Sequence, residues 1–162
     1  MTAALELSTN QVTHFYSKKK NTDEMIKLMD VLIERYKGFK KLWLSWDAAS
    51  WHMSKKLYEQ IEATNRKTAI TGGPVVETAP LPAGAQFLNV IESVFSGLAR
   101  GVIHNSNYMS VDEAKVAIDR YFDERNNYFQ VNPKRAGKKI WGEERVSCEF
   151  HEANNCKDPR YR

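Results

Sequence analysis

KLWLSWDAASWH, residues Lys41–His52, is the stretch around which the other elements of this chain are arranged. It begins with an almost continuous apolar run, Leu42–Trp46, and such a run of strand-favouring residues is typical of a strand covered on both faces. The run ends at Asp47. Because side chains alternate along a strand, we expect Asp47 to share a face with Trp43, while Trp46 points the other way.

Asp47 has two interpretations at this point. Ligands of α/β sheets gather beyond the carboxyl ends of the strands, where a carboxylate is well placed to hold a metal ion. Aspartate also favours turns and helix caps, so Asp47 could do no more than start the turn that follows the strand. The residue pattern alone leaves both interpretations open.

The sequence on either side predicts helices and short strands. Asn21 and Glu24 have the spacing of a capping box at a helix start, as do Ser110 and Glu113. In chain order we predict a hairpin over 3–16, a helix from Asn21 to Gly38, the central strand, a helix from Ser54 to Asn65, a loop over Arg66–Pro74, a strand at Val75–Val76, a helix over Asn89–Arg100 and a helix from Ser110. This order indicates one α/β domain over residues 1–132, followed by a basic, extended or poorly ordered tail over 133–162.

Composition is that of an ordinary globular domain. The chain has 162 residues, of which 42% are hydrophobic and 27% charged, so wholesale disorder is not expected. No apolar run approaches the roughly 20 residues of a membrane-spanning helix. Two cysteines are too few for a disulfide framework, and the first residues do not resemble a secretory signal. We therefore expect a cytoplasmic protein without a membrane partner.

The net charge of +4 is unevenly distributed. Basic side chains cluster at Lys18, Lys19 and Lys20, and again at Lys134, Arg135, Lys138 and Lys139. Such clusters suit DNA, because each neutralised phosphate releases counterions. Solvated loops have the same composition, so charge alone does not decide between the two.

Glu92 is the second acidic residue of interest, within LNVIESVF at residues 88–95. Asn89 and Glu92 have capping-box spacing, which would give Glu92 a purely structural role. Glu92 also lies beside an apolar helical stripe, from which a carboxylate in the first turn could reach over the end of a sheet.

Two motifs resemble those of a known family. DAASWH at 47–52 is similar to the strand-end motif Asp-Asn-Ala-x-x-His of the DDE transposases in the mariner-related insertion-sequence superfamily. Leu81-Pro82 followed by LNVIESVF resembles that family's Leu-Pro…Leu-Asn-Pro-Ile-Glu-x-x-Trp motif. The motifs occur in the family's order, each with the expected strand or helix around it.

The resemblance implies a ribonuclease H-like fold, a mixed sheet flanked by helices, in which three carboxylates hold two divalent metal ions, Mg²⁺ or Mn²⁺. Asp47 would be the second carboxylate and Glu92 the third. His52 and Asn89 would contact the metal ligands or the substrate. The basic clusters would contact DNA at the transposon ends.

This chain departs from the family pattern at several points, among them Val90 and Phe95 in place of the usual proline and tryptophan. Ala48 replaces the usual asparagine. Asp47 and Glu92 are further apart in sequence than is common, and we expect the Arg66–Pro74 loop to absorb the surplus. The family's first catalytic aspartate lies on a strand before the hairpin, and nothing here matches it. The resemblance therefore implies the C-terminal part of a catalytic domain, with a sheet lacking its first, central strand.

The functional expectation is a nucleoid-associated fragment of a transposase for metal-dependent cleavage and strand transfer at insertion-sequence ends. It would be inactive alone without an aspartate from another polypeptide. The alternative is a non-catalytic, DNA-associating remnant or subunit that binds a full-length transposase, with a homodimer as a further possibility. A stand-alone ribonuclease H-like nuclease would need more carboxylates than can be assigned to its site from the sequence.

Overall fold

The computed structural model describes residues 1–47, 49–81, 88–104 and 106–137. The elements are β1 (Thr2–Glu6), β2 (Gln11–Phe15), α1 (Thr22–Arg35), β3 (Lys41–Leu44), a 3₁₀ turn (Ser50–His52), α2 (Lys55–Thr71), β4 (Val75–Thr78), α3 (Ile91–Leu98), a π turn (Ala99–Ile103) and α4 (Val111–Val131). Within these ranges no helix is both long enough and apolar enough to span a membrane. The predicted mixed α/β class is confirmed.

The strands of the described residues form two separate two-stranded sheets. β1 and β2 are antiparallel, with Thr2 opposite Phe15. β3 and β4 are parallel, with Lys41 opposite Val75. These residues by themselves therefore do not form the single mixed sheet that the resemblance implies.

Within the described ranges β3 is covered on one face, which contradicts the prediction of a strand covered on both faces. Trp46 is only 6% exposed, whereas Trp43 on the opposite face is 63% exposed. The reason is that α1 and α2 pack on the same side of the β3–β4 sheet. Their core consists of Met29, Trp46, Leu57, Ile61 and Val76, with Leu44 packed against it.

A second core lies between the hairpin, α3 and α4. Its buried residues are Val12, Val94, Leu98 and Phe122. The predicted cap of α4 is present, since the Ser110 hydroxyl accepts a hydrogen bond from the Glu113 amide at 3.1 Å. The predicted cap of α1 is present as well, with Asn21 accepting from Glu24 at 3.1 Å.

Two asparagine amides occupy the outer edges of the sheets. Asn65 of α2 donates to the Val76 carbonyl at 2.9 Å and accepts from the Val76 amide at 2.8 Å. Asn126 of α4 makes the same pair with Val12, at 2.9 and 2.8 Å. Each amide thus replaces one residue of a neighbouring strand and ties a helix to a sheet edge.

α2 is longer than predicted, so the predicted Arg66–Pro74 loop is wrong for Arg66–Thr71 and confirmed for residues 72–74. The helix continues to Thr71 and ends at Gly72, whose φ of 82° lies in the left-handed region that glycine tolerates. Its last turns project beyond the core, and Ile70 is 88% exposed. Because these turns lie outside the core, they need no apolar stripe. The extra residues between Asp47 and Glu92 therefore include additional turns of α2.

The basic segment after α4 begins against the hairpin. Ala136 is buried, and its amide donates to the Leu7 carbonyl at 2.8 Å. The rest of the predicted tail, 138–162, lies outside the described residues.

Candidate active site at the end of strand β3

Asp47 directly follows a firmly held strand end. Pairing with the β4 side continues past the last residue of β3: Ala79 donates to the Leu44 carbonyl and Leu81 to the Trp46 carbonyl, both at 2.8 Å. The buried Trp46 ring anchors the same segment. Asp47 therefore lies at the carboxyl end of the strand, as predicted.

One oxygen of the Asp47 carboxylate is fully engaged. Its Oδ1 atom lies 2.7 Å from His52 Nδ1 and accepts from the Ala49 amide at 3.2 Å. The second of these bonds is a turn contact, so Asp47 does start the turn. Its Oδ2 atom has no hydrogen-bond partner among the described residues, and the side chain is 36% exposed. This arrangement leaves one carboxylate oxygen available to a ligand.

His52 lies beneath Asp47 with only 14% of its side chain exposed. Its other ring nitrogen, Nε2, accepts a hydrogen bond from Trp51 Nε1 at 3.0 Å. The ring centroids of Trp51 and His52 are 5.7 Å apart in an edge-on arrangement. Sequence reasoning singled out His52 but not Trp51, because a tryptophan in a turn resembles an ordinary packing residue.

The turn that holds these side chains is attached to two helices. The Thr22 hydroxyl, in the first turn of α1, lies 3.2 Å from the Trp51 carbonyl oxygen and 2.9 Å from Ser54 Oγ. Ser54 caps α2 by accepting from the Leu57 amide at 3.3 Å. The site therefore rests on regular elements rather than on a free loop.

Glu92 belongs to a different element, helix α3. It is exposed in the first turn of α3, a helix whose buried residues belong to the core with the hairpin and α4. The predicted Asn89 capping box is wrong: the Glu92 amide bonds to the Asn89 backbone carbonyl at 3.0 Å, and the helix has no side-chain cap. No hydrogen bond joins Glu92 to Asp47 within the described ranges, so their meeting at one site stays a prediction.

A divalent metal ion would find a partial ligand set. Carboxylate oxygens are the ligands that Mg²⁺ and Mn²⁺ prefer, and Asp47 offers one. In the part of the chain that the structure describes, no three histidine, cysteine, aspartate or glutamate side chains are grouped to hold a metal ion. Asp47 fits as one ligand, and the described residues do not complete the site.

The basic clusters are exposed where the structure describes them. Lys18, Lys19 and Lys20 lie between β2 and α1, and Lys134 and Arg135 follow α4. Lys27 of α1 is exposed as well, and its ammonium lies 4.5 Å from the centroid of the Phe15 ring. Sequence reasoning missed Lys27 because it lies within a helix. Lys138 and Lys139 are outside the described residues.

A second histidine–aspartate pair joins the hairpin to α4. His14 Nε2 lies 2.8 Å from Asp119 Oδ1, and the Tyr16 hydroxyl donates to the same oxygen at 2.8 Å. The hydrogen bond from His14 lowers the pKa of Asp119, while burial raises the pKa of Tyr16. This pair stabilises the interface between two elements, and its aspartate is a natural control for Asp47.

A model of a known protein family matches most of the chain. The family model described as DDE superfamily endonuclease matches residues 1–115, from β1 into α4. The matched region includes the Asp47 turn, Glu92 and the first basic cluster. No curated protein and no solved structure matches the chain.

Proposed function

We propose that this chain, which belongs to the DDE superfamily endonuclease family, uses the Asp47 strand end in transposase-type DNA cleavage and strand transfer at insertion-sequence ends. The supporting observation is the Asp47 carboxylate itself. One of its oxygens is fixed by His52 and the Ala49 amide, and the other has no hydrogen-bond partner among the residues that the structure describes. A preorganised carboxylate of this kind is what phosphodiester chemistry requires of a metal ligand.

Members of the superfamily typically use divalent metal ions, and we propose Mg²⁺ or Mn²⁺ for this chain. Asp47 would hold the ion, with Glu92 as the other carboxylate from this chain and Asn89 beside it. In a two-metal site, one ion would activate the attacking water or hydroxyl and the other would stabilise the leaving oxygen. His52 holds the Asp47 carboxylate through its Oδ1 atom.

DNA is the proposed partner of the basic clusters. Exposed lysines neutralise backbone phosphates without reading sequence. Lys18, Lys19 and Lys20, together with Lys134, Arg135, Lys138 and Lys139, would hold a transposon end against the strand-end site.

A further strand is part of the proposal. The Leu44 and Trp46 carbonyls point to β4, so the alternate backbone groups at Trp43 and Ser45 face the other edge, where no described strand pairs with β3. The outer edge of β4, by contrast, is occupied by the Asn65 amide. A strand bearing an aspartate and supplied from outside the described residues would complete a ribonuclease H-like sheet and the carboxylate set. Without it, we expect the chain to be inactive.

A non-catalytic role is the second candidate. The open edge of β3 and the partial ligand set would also suit a subunit that pairs with a full-length transposase and contributes no chemistry.

A complementation assay separates the two functions. The chain is mixed with a similar full-length transposase whose own second catalytic carboxylate has been changed to asparagine, and nicking of a transposon-end plasmid in Mn²⁺ is measured. If this chain supplies Asp47, nicking is restored by the wild-type chain and by Asp119→Asn but not by Asp47→Asn. A complex that co-purifies yet never nicks would contradict the catalytic role and support the second candidate.

A further inference from the structure

We propose that Trp51 is a positioning residue that orients Asp47 through His52. The inference rests on the proposed function of Asp47 and extends it to a residue outside the metal and DNA contacts. It starts from a continuous series of hydrogen bonds: Trp51 Nε1 to His52 Nε2 at 3.0 Å, then His52 Nδ1 to Asp47 Oδ1 at 2.7 Å.

The donor properties of indole fix the direction of both bonds. Indole N–H can only donate, so His52 Nε2 must present its lone pair to Trp51. The proton of the neutral imidazole then lies on Nδ1, which donates it to Asp47. Trp51 therefore favours the one tautomer of His52 that can hold the carboxylate, and it acts together with the Asp47 backbone carbonyl, which lies 3.2 Å from the same Nδ1.

The backbone of the turn is attached to both helix starts. The Trp51 carbonyl and the Thr22 hydroxyl are 3.2 Å apart, and Thr22 also contacts the cap of α2. These contacts fix the backbone from which the indole reaches His52, while the ladder of β3 and β4 holds Asp47 from the other side. The result is a carboxylate with one oxygen fixed and the other directed outward.

Loss of the indole donor would release this arrangement. Without it, the His52 ring can turn over or exchange its proton between nitrogens, and a ring that presents a lone pair to Asp47 repels the carboxylate. Changes to groups that orient metal ligands typically lower metal affinity or activity about 10- to 100-fold. We expect a loss of about tenfold here, because an aromatic ring remains to support His52.

The variant Trp51→Phe removes the N–H and retains an aromatic ring. Trp43→Phe is the matched control, because Trp43 is 63% exposed and contacts Lys41 through its ring. Two-bond ¹H–¹⁵N correlation spectra of His52 report the tautomer, and the disappearance of the free Mn²⁺ signal in electron paramagnetic resonance reports metal affinity. We expect the Nδ1–H tautomer in wild type and Trp43→Phe, and both a mixture of tautomers and about tenfold weaker Mn²⁺ binding in Trp51→Phe.

The proposal is overturned if Trp51→Phe retains either the wild-type tautomer or the wild-type Mn²⁺ affinity. A direct test needs no substitution: the N–H···N bond should give a scalar coupling between Trp51 Nε1 and His52 Nε2 in the full wild-type chain, and its absence would contradict the proposal. The tautomer and the coupling do not depend on catalysis. Failure of the proposed function would instead appear as unchanged Mn²⁺ binding in Asp47→Asn.

Discussion

The role of an aspartate in this protein depends on its hydrogen-bond partners, which the adjacent sequence does not indicate. Asp47 and Asp119 are each bonded to a histidine, at 2.7 and 2.8 Å. Asp47 lies at a strand end with an open oxygen, whereas Asp119 joins α4 to the hairpin and also accepts from Tyr16. The same pair of residue types thus has a proposed catalytic role in one place and a structural role in the other.

The Asp119 pair makes stability depend on pH. His14 holds the pKa of Asp119 below its ordinary value of 3.8, so the folded state favours the ionised carboxylate. The stabilisation is complete above that value and is lost as pH falls through the lower, folded-state pKa. Because the Asp119 side chain is 48% exposed, we expect Asp119→Asn to cost at most about 1 kcal/mol at pH 7. Urea unfolding should show this difference shrinking below about pH 4, and a difference that grows there would contradict the assignment.

Elements were predictable where local chemistry defines them. Capping residues at Asn21, Ser54 and Ser110 mark three helix starts, and each accepts the expected amide bond. The end of α2 was not predictable from periodicity, because its last turns leave the core and need no apolar stripe. The predicted Asn89 cap is absent because the backbone is already helical at Val90, the residue before α3.

Asn65 provides a test of how α2 holds β4. Asn65→Ala would leave both backbone groups of Val76 without partners at an otherwise buried residue. An unsatisfied buried polar group costs about 1–3 kcal/mol, so we expect a loss of that size in the free energy of unfolding. Asn132→Ala, which removes an exposed side-chain bond at the end of α4, should change stability by less than about 0.5 kcal/mol. Equal effects of the two changes would contradict the edge-capping role.

Packing between elements can be tested in the same way. Phe122 is fully buried between α4 and the hairpin, while Val116 on the same helix is 58% exposed. We expect Phe122→Ala to lower the free energy of unfolding by about 3–5 kcal/mol and Val116→Ala to change it little. Denaturant unfolding of both variants measures the contrast, and a small loss for Phe122→Ala would show that this core is not essential.

At the level of the whole molecule, the α/β class and the position of Asp47 followed from sequence, but the division into two sheets did not. Pairing between strands depends on which edges are open, and the residues that close them, Asn65 and Asn126, lie in helices far along the chain. Side-chain amides within a helix give no sequence signal for this role. The two cores of the described residues have the same origin in long-range packing.

The basic clusters predict salt-dependent DNA binding by the whole chain. Each lysine that neutralises a phosphate contributes about 1 to the slope of log affinity against log salt concentration. Changing Lys18, Lys19 and Lys20 together to glutamine should therefore reduce the slope by up to about 3. Lys37→Gln is the control, because Lys37 is paired with Glu34 at 2.8 Å. Fluorescence anisotropy with duplex DNA measures both, and an unchanged slope in the triple variant would exclude these lysines from the interface.

Titration of the full-length chain with Mn²⁺, followed by electron paramagnetic resonance, tests the role of Asp47 most directly. Wild type and Asp119→Asn should bind the ion with the same affinity, because Asp119 only joins α4 to the hairpin. Asp47→Asn should bind it at least about tenfold more weakly, since it lacks the open carboxylate oxygen. Equal affinity in Asp47→Asn and wild type would contradict the assignment of this strand end as a metal-dependent site.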